Sequence, residues 1–142
     1  MNQTIQKLID TNAPMRFKPG ADAGAVEKYE QAAGITIPAS YREWLDFSDG
    51  GEIFVPGTEF YGVNADERFS LYSENDPKAR EVFSLDASML IVGQLNFGDL
   101  VCLDVNSGEI IQWDHELDEE YLRWTDIFSF IEDEITDYVT VG

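Results

Sequence analysis

Between Met89 and Trp113 three short apolar runs alternate with tight turns, and this spacing constrains the chain more than any other feature. The runs are Met89 to Val92, Leu100 to Val105 and Glu109 to Trp113, each of strand length and rich in Ile, Leu and Val. Asn106-Ser-Gly108 joins the last two and suits a hairpin, because Asn and Gly accept the backbone conformations that a tight reversal needs. Antiparallel pairing is the natural result. Upstream, Glu52 to Val55 and Phe60 to Val63 flank Pro56-Gly57 and read as a hairpin or a closely linked strand pair.

Helical patterns lie on both sides of these strands. Ile5, Leu8 and Ile9 recur at helical spacing within Gln3 to Asp10. A second helix is expected from Asp22, as N-cap, to Gly34, with Val26, Tyr29 and Ala33 facing the core and Glu27, Lys28, Glu30 and Gln31 facing water. A third opens at Ala39 or Ser40, places Tyr41, Trp44, Leu45 and Ser48 on one side, and stops at Asp49-Gly50-Gly51. The stretch from Asn64 to Asp86 is polar and mixed, with a turn at Asn75-Asp-Pro77 and a short helix at Lys78 to Phe83. It reads as a variable insert. An amphipathic closing helix from Thr125 to Tyr138 turns Ile127, Phe128, Phe130, Ile131 and Ile135 inward and Asp126, Glu132, Asp133 and Asp137 outward. The fold class is therefore α+β: one domain over residues 1–142, with a mostly antiparallel sheet backed by N-terminal and C-terminal helices.

Charge limits the partners. Twenty-eight Asp and Glu against nine Lys and Arg leave a formal charge of −19, so direct contact with nucleic acid or anionic membrane is not expected. A basic partner suits such a field. The start of the chain has no sustained apolar segment of the secretory type, and a cytoplasmic location is expected. The lone Cys102 lies in an apolar run and reads as a buried reduced thiol.

The segment Val26 to Gly51 resembles the signature of the SUKH superfamily, the Smi/Knr-like proteins. There a helix ends at Gly-Ile, a Leu-Pro pair follows, and an aromatic-containing helix runs into Asn-Gly-Gly. Gly34, Ile35, Pro38, Tyr41, Leu45, Gly50 and Gly51 fall on that pattern as structural residues, while Ile37 replaces the usual Leu and Asp49 the common Asn. The resemblance implies a sheet backed by helices in a binding module rather than an enzyme. Its bacterial members are immunity proteins that neutralise polymorphic toxins, and a fungal member regulates cell-wall synthesis. The short chain is more similar to the immunity branch, with a protein-binding scaffold of the regulator type as the alternative.

The candidate binding surface is the acidic run Asp114, Glu116, Asp118, Glu119 and Glu120 with Tyr121. It would face Arg and Lys on a toxin whose own substrate is an anion, with the nuclease class as first choice. Exposed ion pairs contribute only about 0 to 1 kcal/mol each, so aromatic anchors are needed too, from among Tyr121, Trp113, Trp124 and Tyr72. His115 with Asp114 and Glu116 is a poor metal site, because neighbours on a strand point to opposite faces. No cofactor, no metal and no catalytic motif is expected, and Asp99 reads as a turn acid. A monomer or weak dimer is expected.

Overall fold

A computed structural model describes residues 2–141. The elements run α1 (Gln3–Asp10), α2 (Ala23–Ala33), α3 (Ala39–Phe47), β1 (Gly51–Ile53), β2 (Thr58–Phe60), α4 (Leu71–Glu74), α5 (Pro77–Arg80), β3 (Met89–Gln94), β4 (Leu100–Asp104), β5 (Ile110–Asp114), β6 (Glu119–Trp124) and α6 (Ile127–Val141). The six strands form one sheet in sequence order, and every neighbouring pair is antiparallel. The expected α+β class is the observed one.

Local chemistry sets the helix ends. The Asn2 side chain accepts from the Thr4 and Ile5 amides at the head of α1, and Asp22 accepts from Ala25 at the head of α2. Gly34 closes α2 at φ +70°. Ala33, expected inside, is exposed, because only Val26 and Tyr29 of α2 are buried and the helix ends at the surface. After α3, Gly51 sits at φ +103°, and a Cβ there would lie 2.6 Å from the Arg16 carbonyl oxygen. Only glycine lets the chain turn into β1 at that point.

Cross-strand partners share a face. Leu90, Leu103, Ile110 and Trp124 lie on one side, and Ile91, Cys102 and Ile111 on the other. The first side meets the helices: Trp124 and Phe60 pack edge-on to Phe130 of α6, and Trp44 of α3 lies 5.2 Å from the Phe60 ring. Burial of Cys102 pushes its thiol up to about 12, in keeping with the inert thiol expected.

The hairpin strands β1 and β2 are shorter than the expected Glu52 to Val55 and Phe60 to Val63 and lie earlier in the chain: the turn begins at Phe54, and β2 starts at Thr58 and keeps only Phe60 of the expected run. Residues 64–88 also hold two short helices where one was expected. They complete the sheet. Since β2 pairs only with Gly93 and Gln94, the open edge of β3 is met by Asn75, which exchanges 2.8 Å hydrogen bonds with both backbone groups of Ile91. Arg80 adds a 2.7 Å bond to the Met89 carbonyl.

The buried Tyr41 hydroxyl donates to the Tyr61 carbonyl at 3.1 Å and so ties α3 to the chain leaving β2. Tyr41→Phe removes that bond and leaves the ring in place. A loss of about 1 kcal/mol is expected, read as a lower urea midpoint at unchanged slope. An unchanged midpoint would show that the hydroxyl contributes nothing.

Candidate functional site

Because each strand reverses the one before it, the β1–β2, β3–β4 and β5–β6 turns all project from one end of the sheet. The acidic run lies there. The run, read from the sequence only as a string of acids, forms a hairpin. Asp114 ends β5, residues 115–118 turn, and Glu119 begins β6, an edge strand that sequence reasoning missed. The pattern Glu-Glu-Tyr-Leu-Arg-Trp lacks apolar alternation because β6 is exposed nearly throughout. A usable signal lay in Tyr121 to Trp124 following a polar turn, with Asp118 able to take its φ of +54°.

The six candidate residues have different duties. Asp114 Oδ1 accepts from the Glu116 and Leu117 amides at 2.9 Å each and so shapes the turn. The Asp118 carboxylate accepts from the Ser84 backbone and hydroxyl and from Trp113 Nε1, and these bonds, those of Ser84 foremost, hold it below its ordinary range. It ties the insert to β5. Glu120 binds Arg123 through two guanidinium nitrogens, at 2.7 and 3.1 Å, and Arg123 also reaches Glu109. Glu116 and Glu119 carry their charge outward. Tyr121 sits at the bulge where β6 gains a residue on β5, and is 63% exposed.

Of the four aromatic anchors considered, only Tyr121 is displayed. Trp113 is buried, Trp124 packs on Phe130 and donates to Asp133 at 2.6 Å, and Tyr72 stands edge-on to Tyr29. Sequence reasoning passed over other apolar groups at this end, since Phe97 is 62% and Leu117 68% exposed. Both occupy turn tips.

Asp99 is more than the turn acid expected. Its carboxylate is buried, accepts from Gln112 Nε2 at 2.8 Å and from the His115 backbone, and holds His115 Nδ1 at 2.7 Å. Burial alone would raise its pKa, but the bonds from Gln112 and His115 outweigh burial and lower it. The hydrogen bond from His115 in turn raises the pKa of the imidazole. His115 has left the strand, so its ring, Asp99 and Asp114 converge to within 4.8 Å. The expectation that Asp114 and His115 diverge therefore fails. All three side chains are already engaged: Asp99 and His115 with each other, and Asp114 with the turn amides. The geometry is that of a clamp between two turns.

Residues 20–133 match the SMI1 / KNR4 family (SUKH-1), a span that runs from the approach to α2 into α6 and includes the whole sheet. The chain belongs to the SMI1 / KNR4 family (SUKH-1). A crystal structure of a protein from Pseudomonas syringae pv. tomato superposes with a TM-score of 0.72 over 94% of this chain and 96% of that one, at 17% identity. That likeness shows the fold. No curated protein matches the chain significantly. As a SUKH-1 protein it places the motif residues Tyr41 and Leu45 fully inside and uses Gly34, Gly50 and Gly51 at positive φ. Pro38 precedes α3, and Ile35 is half-buried against the core. Family membership supports an immunity-protein or Smi1/Knr4-like role. Among the described residues no helix is long and apolar enough to cross a membrane.

Proposed function

We propose that this protein is a non-catalytic immunity protein that binds and neutralises a toxin domain, of the nuclease class, through the acidic end of its sheet. The observation that carries the reading is the β5–β6 hairpin, where Glu116 and Glu119 point outward beside Leu117 and Tyr121. Carboxylates flanked by exposed apolar groups suit a basic cleft that normally holds phosphates, since the charge steers and the apolar groups supply binding energy. The net charge of −19 extends that attraction over the whole encounter.

Co-expression with the toxin domain encoded in a neighbouring reading frame tests the reading. Glu116→Lys with Glu119→Lys is expected to abolish rescue while leaving the fold intact, because neither carboxylate accepts turn hydrogen bonds as Asp114 and Asp118 do, and Glu116 only approaches the His115 ring, at 3.9 Å. The association rate should fall steeply as salt rises and the screening length shrinks to ~8 Å at 0.15 M. Unchanged rescue would move the interface off the hairpin. A rate indifferent to salt would remove steering. The second reading, a scaffold that joins client proteins, is favoured by the match to the SMI1 / KNR4 family itself. It predicts several weak clients and no rescue from one toxin.

A further inference from the structure

Beside the acidic hairpin, a groove of about 650 Å³ opens between the turns of the sheet and the second half of α6. Phe54, Phe97 and Tyr138 wall it, and Gln112 of β5 contributes to its lining. The Phe54 and Tyr138 rings stack at 4.8 Å, while Phe97 stands largely exposed. Glu134, Asp137 and Tyr138 follow the i, i+3, i+4 spacing and so share one side of α6. Both carboxylates enter the groove, and no Lys or Arg lines it.

That charge is placed where the chain itself does not need it. Among the described residues of α6, Glu132 is paired with Lys7, but Glu134 and Asp137 have no cationic partner. The last turn of the helix holds no basic residue, although the negative pole of the helix favours cations there. Burial, with Asp137 and Asp133 nearby, pushes Glu134 up to about 7. A cation seated in the groove would relieve all three conditions.

We propose that this groove receives an arginine side chain of the protein partner, its guanidinium between Glu134 and Asp137 and its flat face against the exposed Phe97 ring, beside the stacked Phe54 and Tyr138 pair. Arginine suits the site better than lysine, because it stacks on aromatic rings and presents a planar fork to carboxylates. The proposal rests on the reading of the protein as a binder of a basic partner, and adds the point at which one residue of that partner is anchored. The hairpin with Glu116 and Glu119 then acts as the outer steering surface. The groove is the recognition element.

The test needs no knowledge of the toxin. Amide and side-chain shifts of the isotope-labelled protein are followed on titration with acetyl-Gly-Arg-Gly-amide, and with the same peptide carrying citrulline, which keeps the shape and lacks the charge. The arginine peptide is expected to shift Thr58, Asn96, Phe97, Tyr138 and the Gln112 side chain saturably, and to lower the pKa of Glu134 towards its ordinary value. Glu134→Gln and Asp137→Asn, neither of which removes a core group, should each weaken binding about fivefold or more. Equal response to citrulline, or equal affinity for the lysine peptide, would overturn the assignment. Shifts confined to residues 114–121 would remove the groove and leave the acidic-hairpin reading standing. Concentration-dependent shifts at the groove without peptide would assign it to a second copy of the chain instead. Loss of toxin rescue on hairpin charge reversal, with the groove inert to arginine, separates the two proposals in the same way.

Discussion

Replacing Trp44 by alanine should lower the free energy of unfolding by about 3 to 5 kcal/mol, whereas Trp44→Phe should lower it by no more than about 2. Trp44 is fully buried where α3, β2 and α6 meet, with Phe60 of β2 at 5.2 Å and Phe47 at 5.7 Å, and Phe60 in turn meets Phe130 of α6. Truncation to alanine therefore opens a void that neither the sheet nor the closing helix can fill without moving the other. Phenylalanine keeps most of the ring contacts. It also deletes the indole N–H, the one buried side-chain donor among the described residues that has no hydrogen-bond partner. Removing an unsatisfied donor relieves a desolvation cost and offsets part of the lost contact area. Denaturant melts of the two variants measure the difference. Equal losses for alanine and phenylalanine would show that the indole edge, and not the bulk of the ring, holds the layers together.

Much of this architecture was legible in the residues because local signals and burial agreed. Asp22 and Gly34 bound α2 as such residues should, and Asn106-Ser-Gly108 reverses the chain where expected, whereas α3 closes on an extended Ser48, ahead of the Gly50-Gly51 pair that turns the chain into β1. The failures share a cause. β6 escaped notice because an exposed edge strand held by β5 on one side has no apolar face to advertise, and its acids masked its pairing. The segment from Asn64 to Asp86 looked variable because its apolar anchors, Leu71 foremost, are too scattered to show a period, and Asn75 and Arg80 satisfy backbone groups of β3, a duty invisible to hydrophobic periodicity. The acidic run appeared uniform as a string of letters. In space its acids divide into a turn former, a tertiary tie, an ion-pair member and two outward charges, and only long-range partners such as Ser84 make that division. The groove on α6 was illegible for the same reason, since Phe54, Phe97 and Tyr138 come from three distant parts of the chain.

Asp99→Ala is expected to cost about 2 to 3 kcal/mol, because it strands the buried Gln112 amide and the His115 backbone donor at once. Asp99→Asn should cost less, as it retains a carbonyl acceptor. The signs of the two shifts define where the native clamp is strongest. His115 has a raised pKa in the folded chain, chiefly from the Asp99 hydrogen bond, with Asp99, Glu116 and Asp114 supplying negative charge. Its contribution is complete below about pH 6.5, the unfolded value, and is lost as pH rises through the folded one. Asp99 has a lowered pKa, so its contribution is complete above about pH 3.9 and is lost as pH falls through the folded value. Glu134, raised to about 7, acts in the same sense as the histidine: its contribution is complete below about pH 4.3, the unfolded value, and is lost as pH rises to about 7. Thermal stability should therefore peak at mildly acidic pH and decline towards pH 8, and Asp99→Asn should flatten that decline. The chain has one histidine, so a single imidazole resonance reports the clamp directly. It should titrate above the ordinary value in the native protein and fall back in Asp99→Asn. A histidine that titrates identically in both would mean that the two turns are not joined through this bond.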